Sequence, residues 1–146
     1  VYHFAGQENK LAGLEREEGF LDELEGRGIV CKVLKGEFQL EIAKTIFTHM
    51  IKTGDIPEGI FCANDEMAIG CLEALAENKI DYKKVKIIGF DNTQISKLYR
   101  PRITTIGYNL DKMAEKAVES ILILIEGKKI KENIYNGELK IYERET

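Results

Sequence analysis

The stretch Ile60-Phe61-Cys62-Ala63 is apolar without alternation, and it runs through Asn64-Asp65 into Ala68, Cys71, Leu72 and Leu75. An unbroken apolar run of this length is the pattern of a strand covered on both faces. The spacing i, i+3, i+4, i+7 is one face of a helix. A strand covered on both faces that feeds directly into a helix demands a sheet with helices on either side. The same unit recurs along the chain. Val1 to Ala5 reads as a strand, followed by a helix from about Lys10 to Arg27 with the stripe Leu11, Leu14, Leu21 and Leu24. Ile29 to Leu34 is a second strand, before a helix from about Leu40 to Lys52 whose stripe is Leu40, Ala43, Ile46, Phe47 and Met50. Val85 to Phe90 is a further buried strand, Asn92 to Arg102 a loop, and Ile103 to Ile106 a short extended piece. Asn109 is placed to cap a helix from Leu110 to Glu126, and Ile134 to Glu143 alternates enough for one or two weak strands. Strand–helix repetition implies right-handed crossovers and an α/β fold: a doubly wound parallel sheet.

The run Ile121-Leu122-Ile123-Leu124-Ile125 adds a complication. It makes the last helix apolar nearly all round, and such a helix needs partners on every side. One sheet face does not supply them, so this helix is expected to pack into a second subdomain or an oligomer contact.

Composition removes several function classes. With 21 basic and 25 acidic residues the net charge is −4, which argues against a nucleic-acid surface on this chain itself. The apolar run at Ile121 is far too short to cross a bilayer, so no membrane partner is expected. Cys31, Cys62 and Cys71 have no CxxC or metal-ligand spacing and read as buried thiols, as in a reducing compartment. His3 and His49 lie far apart and suggest no metal site. Val1 to Ala5 already resembles a core strand rather than a leader, and the chain reads as an excised piece of a longer one.

Ligands of open parallel α/β sheets sit beyond the carboxyl ends of the strands. Polar residues just after buried strands are therefore the candidates. Asn64-Asp65 follows one strand: Asp65 is expected to cap the helix, leaving the Asn64 amide free to bind a neutral polyol. Asp91 follows another, as a loop acid or as a carboxylate accepting bonds from vicinal hydroxyls. Arg16 alone reads as a surface ion-pair residue among Glu15, Glu17 and Glu18, and Phe38 offers a ring that could stack on a sugar. No catalytic residue emerges. There is no GxSxG elbow, P-loop or HExxH, and Thr93 stands where a phosphate-accepting Asp91 would want a second aspartate.

Several segments together carry a resemblance: "REEGFLDELEGRGI", "GIFCANDEMAIGCLEAL", "VKIIGFDNT", "YRPRITTIGYNLDKMAEKAV" and "LKIYERET". In that order, they resemble the C-terminal part of a LacI/GalR-type transcriptional regulator, whose effector domain shares the type I periplasmic sugar-binding fold. The resemblance implies a non-enzymatic, cytoplasmic, homodimeric regulator with no cofactor. It would bind a sugar or nucleoside-like effector and reach operator DNA only through an N-terminal domain outside this chain. It places Arg16, Asn64 and Asp91 at the family's effector-binding Arg, Asn and Asp, and Phe38 at a stacking ring. Tyr108, Leu110 and Met113 fall where members line the cleft or hinge, although several members carry Gln and Phe at the first two. Lys10 and Ala12 receive no role. Residues 1–106 would form the C-terminal subdomain, and 107–146 a crossover helix and terminal strands partly belonging to the other subdomain. A sugar-binding component of an ABC transporter shares the fold and is the alternative.

Overall fold

The computed structural model describes residues 1–130 and 137–146. Its twelve named elements alternate. Tyr2–Ala5 is β1, Leu11–Gly26 α1, Lys32–Lys35 β2, Leu40–Lys52 α2, Gly59–Cys62 β3 and Asp65–Glu77 α3. A 3-10 turn at Tyr82–Lys84 precedes Lys86–Phe90, which is β4; then follow Gln94–Leu98 as α4, Thr104–Tyr108 as β5, Leu110–Ile125 as α5 and Leu139–Tyr142 as β6. The sheet order is β2-β1-β3-β4-β5-β6, with the first five strands parallel and β6 antiparallel to β5. The expected α/β sheet is present, mixed rather than purely parallel because the terminal strand returns along β5.

Adjacent residues of β1 show why the sheet needs cover on both faces. Phe4 meets Phe47 of α2 edge-on at 6.3 Å, while His3 stacks on Phe61 at 5.0 Å and lies 5.5 Å from Phe20 of α1. The α2–α3 side holds the main core, with Phe4, Phe47, Met67, Leu75, Ile87 and Ile103 all buried. The other side carries α1 over β1 and β3. A hollow of about 610 Å³ remains beside it, along Phe61, Ile88, Phe90 and Ile106.

Four local expectations shift. The second strand begins at Lys32, not Ile29. The Ile29 N–H returns to the Leu24 carbonyl at 3.0 Å, closing α1, and Val30 stays 87% exposed. The loop from Asn92 to Arg102 contains α4. In α1, Leu11 and Leu14 are exposed, and the helix docks instead through Gly13, Phe20 and Leu24. Finally, α5 forms over the expected residues and buries none of them, leaving Ile121, Leu122, Leu124 and Ile125 more than half exposed. Of the expected tail strand, β6 forms, and Ile134 to Asn136 lie outside the described residues.

Candidate functional site

The strand order reverses at β1, which has β2 on one side and β3 on the other. Open α/β sheets bind ligands at such a point, beyond the carboxyl ends of the strands. Here α1 leaves β1 and carries Arg16 over this rim. One Arg16 amine (Nη1) donates to the Ala63 carbonyl at the end of β3, at 2.5 Å. The other (Nη2) donates to Asp91 Oδ1 after β4, at 2.9 Å. The guanidinium carbon lies 3.8 Å from the Phe90 ring centroid and 6.0 Å from that of Phe38. Arg16 is therefore held by a carbonyl, a carboxylate and two aromatic faces, which suits a planar, delocalised cation. Its side chain is 18% exposed and that of Asp91 41%, so both remain reachable from solvent.

Two tight turns aim the other groups. Glu37 and Phe38 adopt φ of 56° and 62°, and Asp91 and Asn92 adopt 98° and 50°. Non-glycine residues in this region cost of order 1–3 kcal/mol each and persist only when their surroundings hold them. The Phe38 ring fills the space that a Cβ on Gly6 would need, which seats it over the end of β1. Its carbonyl accepts from Asn64 Nδ2 at 3.1 Å. Asn64 Oδ1 accepts from the Met67 N–H at 2.9 Å, so Asn64 is the cap of α3.

This reverses the expected division of labour. Asn64, not Asp65, starts the helix. Asp65 is fully buried and reaches the other turn: Oδ2 accepts from the Thr93 N–H and hydroxyl, both at 2.7 Å, and Oδ1 accepts from the Thr105 hydroxyl. The physical reason is reach. Asn64 sits last before the helix with extended φ, where its oxygen meets the first-turn N–H groups. Asp65 is already helical and points into the sheet. The second Asn64 N–H makes no hydrogen bond among the described residues.

The structure thus brings Arg16, Phe38, Asn64 and Asp91 together. Tyr108 reaches their rim through an edge-on contact with Phe90 at 6.5 Å. Leu110, 66% exposed at the start of α5, makes none of these contacts. Phe90 was expected only as the end of a buried strand and not at the site, although alternation from Ile88 places it on the α1 face. Burial raises the Asp91 carboxyl above its ordinary range, opposed by the Arg16 charge and reinforced by Asp65. Elsewhere Cys62 and Cys71 are buried with sulfurs 3.9 Å apart, and burial pushes the Cys62 thiol up. Among the described residues no group of His, Cys, Asp and Glu could hold a metal, and no helix is long and apolar enough to cross a membrane.

A family model described as a periplasmic binding protein-like domain matches residues 2–146. The chain belongs to this family. Within the periplasmic binding protein-like family, its resemblance runs to repressors. The HTH-type transcriptional repressor PurR of Actinobacillus pleuropneumoniae is 30% identical over 135 residues, covering 90% of this chain and 39% of that protein. A regulatory protein of the LacI family from Chloroflexus aggregans superimposes with a TM-score of 0.87 at 21% identity, over 98% of this chain and 53% of that one. A lac repressor dimer, bound to operator and the anti-inducer ONPF, gives 0.82 at 23% identity, over 98% and 50%. The recognised likeness to a LacI/GalR-type effector domain therefore stands, and the transporter alternative is not favoured. The chain spans about two fifths of the length of the PurR relative it matches.

Proposed function

We propose that this periplasmic binding protein-like chain is the effector-binding part of a LacI-type transcriptional regulator and not an enzyme. The observation that carries this reading is the Arg16–Asp91 pair, set between Phe38 and Phe90 at the point where strand order reverses. A guanidinium offers fixed donors and a carboxylate offers acceptors for vicinal hydroxyls. Aromatic faces beside them suit the apolar face of a sugar or nucleoside. The effector is therefore a small, hydroxyl-bearing polar molecule. Tyr108 is assigned to the edge of the cleft beside Phe90 and Leu110 to the opposing wall, with residues 1–106 as the subdomain that carries the site.

In this reading the effector binds between two subdomains and favours one relative orientation. It shifts that equilibrium only by its differential affinity for the two states. The orientation sets the spacing of two DNA-binding heads in a cytoplasmic homodimer. Operator contact belongs to residues outside this acidic chain. The support is the repressor likeness together with the site geometry.

The test is a thermal-shift screen of sugars and nucleosides on the intact regulator and on its Arg16→Ala and Asp91→Ala variants. An effector raises the melting point of the parent in a concentration-dependent way. Both variants fold and bind it about 10- to 100-fold more weakly, as expected for a lost hydrogen bond to a charged group. Undiminished binding by both variants contradicts the reading.

A further inference from the structure

The Asn64-Asp65 pair leaves one residue that the proposed binding role does not use. Asp65 is completely buried, and all three hydrogen bonds to its carboxylate come from elsewhere in the fold: two from Thr93 and one from Thr105. Thr93 closes the turn in which Asp91 and Asn92 adopt positive φ. Thr105 lies on β5, and its hydroxyl oxygen also accepts the Asn92 N–H at 3.3 Å. The carboxylate comes so close to β4 that a Cβ on Gly89 would lie 2.5 Å from Asp65 Oδ1. No larger residue fits at Gly89 while Asp65 keeps these bonds. From the other side, Arg144 donates to Asn92 Oδ1 at 2.5 Å, to Ser96 Oγ at 3.1 Å and to the Ile103 carbonyl at 2.6 Å.

We propose that Asp65 is a positioning residue for the effector site: with Thr105 it holds the strained Asp91–Asn92 turn so that Asp91 faces Arg16, and it ties that turn to β5. Isolated, a non-glycine residue at φ 98° relaxes to negative φ, which swings its carboxylate away from its present partner. Three bonds to a buried carboxyl group, made to the turn and to its neighbouring strand, oppose that relaxation. The same bonds make any displacement of β5 a displacement of the Asp91 turn. Because β5 leads directly into α5, the turn is linked to the segment through which the chain leaves the sheet. The effector meaning of Asp91 rests on the reading given under Proposed function; the clamp does not.

Amide hydrogen exchange and the Asp91 carboxyl carbon resonance, measured by NMR on the labelled chain without any ligand, test the clamp in Thr105→Val and Thr105→Ser. Valine keeps the shape and removes the hydroxyl, whereas serine keeps the hydroxyl. The valine variant is expected to speed exchange at Asn92 and Thr93 by about tenfold or more, with β1 and β3 amides changed by less than about twofold. The Asp91 carboxyl resonance moves with it, and serine restores both. If the valine variant does not fold, Thr93→Val, at a half-buried position, removes one Asp65 bond and carries the same readouts. Unchanged exchange at Asn92 and Thr93, a uniform rise across the sheet, or no restoration by serine overturns the proposal. A failed effector screen would instead count against the binding reading and leave these readouts untouched.

Discussion

His3 stands fully buried between Phe20 and Phe61, with its Nδ1–H donated to the Phe61 carbonyl at 3.1 Å. Its other ring nitrogen has no partner among the described residues. A proton there would add a buried donor with nothing to accept it, and burial lowers the ring's pKa from 6.5 to about 4. The neutral ring is the folded form. Stability from this group is therefore complete above pH 6.5 and drains away as pH falls toward about 4, by about 3 kcal/mol in all. Denaturant unfolding at pH 7 and pH 4.5 should show the loss, and His3→Leu should reduce it. The Asp91 carboxyl is shifted the other way, upward, and in the proposed reading it too loses its contribution on acidification, here to binding. It takes up a proton at a higher pH than an ordinary carboxylate, because burial outweighs the Arg16 charge. Effector affinity is thus predicted to fall on acidification before the exposed carboxylates titrate, and titration calorimetry across that range checks it. Asp91→Asn should cost only about 0–1 kcal/mol of stability, since the pair is solvent-accessible.

At the scale of elements, the start of α3 ties two parts of the site together. Asn64→Ala removes its cap and the tie to the Phe38 carbonyl together. A loss of about 1 kcal/mol in chemical denaturation is expected from the cap alone. Loosening of the Phe38 turn should appear as faster exchange at Gln39. Most elements were legible from the sequence because buried strands and amphipathic helices have different periods, and β3 followed by α3 is the clearest case. The exceptions have physical causes. Ile29 and Val30 have strand propensity, but the Ile29 N–H is spent in closing α1 and Val30 stays exposed, so β2 starts later. The α4 residues span little more than one turn, too few for a periodic pattern. Leu11 and Leu14 look like a docking face, yet the aromatic contact of Phe20 with Phe61, at 4.6 Å, sets the rotation of α1. Within the site, residue types after strands pointed to Asn64 and Asp91, while the family likeness was needed for Arg16. The exchange of duties between Asn64 and Asp65 was not legible, since both types cap helices and only the geometry separates a first-turn acceptor from a buried anchor.

The whole molecule is a one-sided arrangement: a dense core between the sheet and α2, α3 and α4, and a thinner α1 side where the site opens. Beyond it α5 carries an apolar surface with no buried residue. Leaving such a surface in water is unfavourable by roughly 25 cal/mol per Å². The isolated chain is therefore expected to self-associate in sedimentation velocity, and Ile121→Lys with Ile125→Lys to return it to monomer. Concentration-independent monomers of the parent chain would contradict this. The central claim, that side chains at the carboxyl rim form the effector site, is tested most directly by mapping amide shifts on the labelled protein during titration with D-ribose, D-glucose and inosine. The account predicts saturable shifts centred on Arg16, Phe38, Asn64 and Asp91. Saturable shifts that leave these four unmoved and fall on α5 or β6 would contradict it.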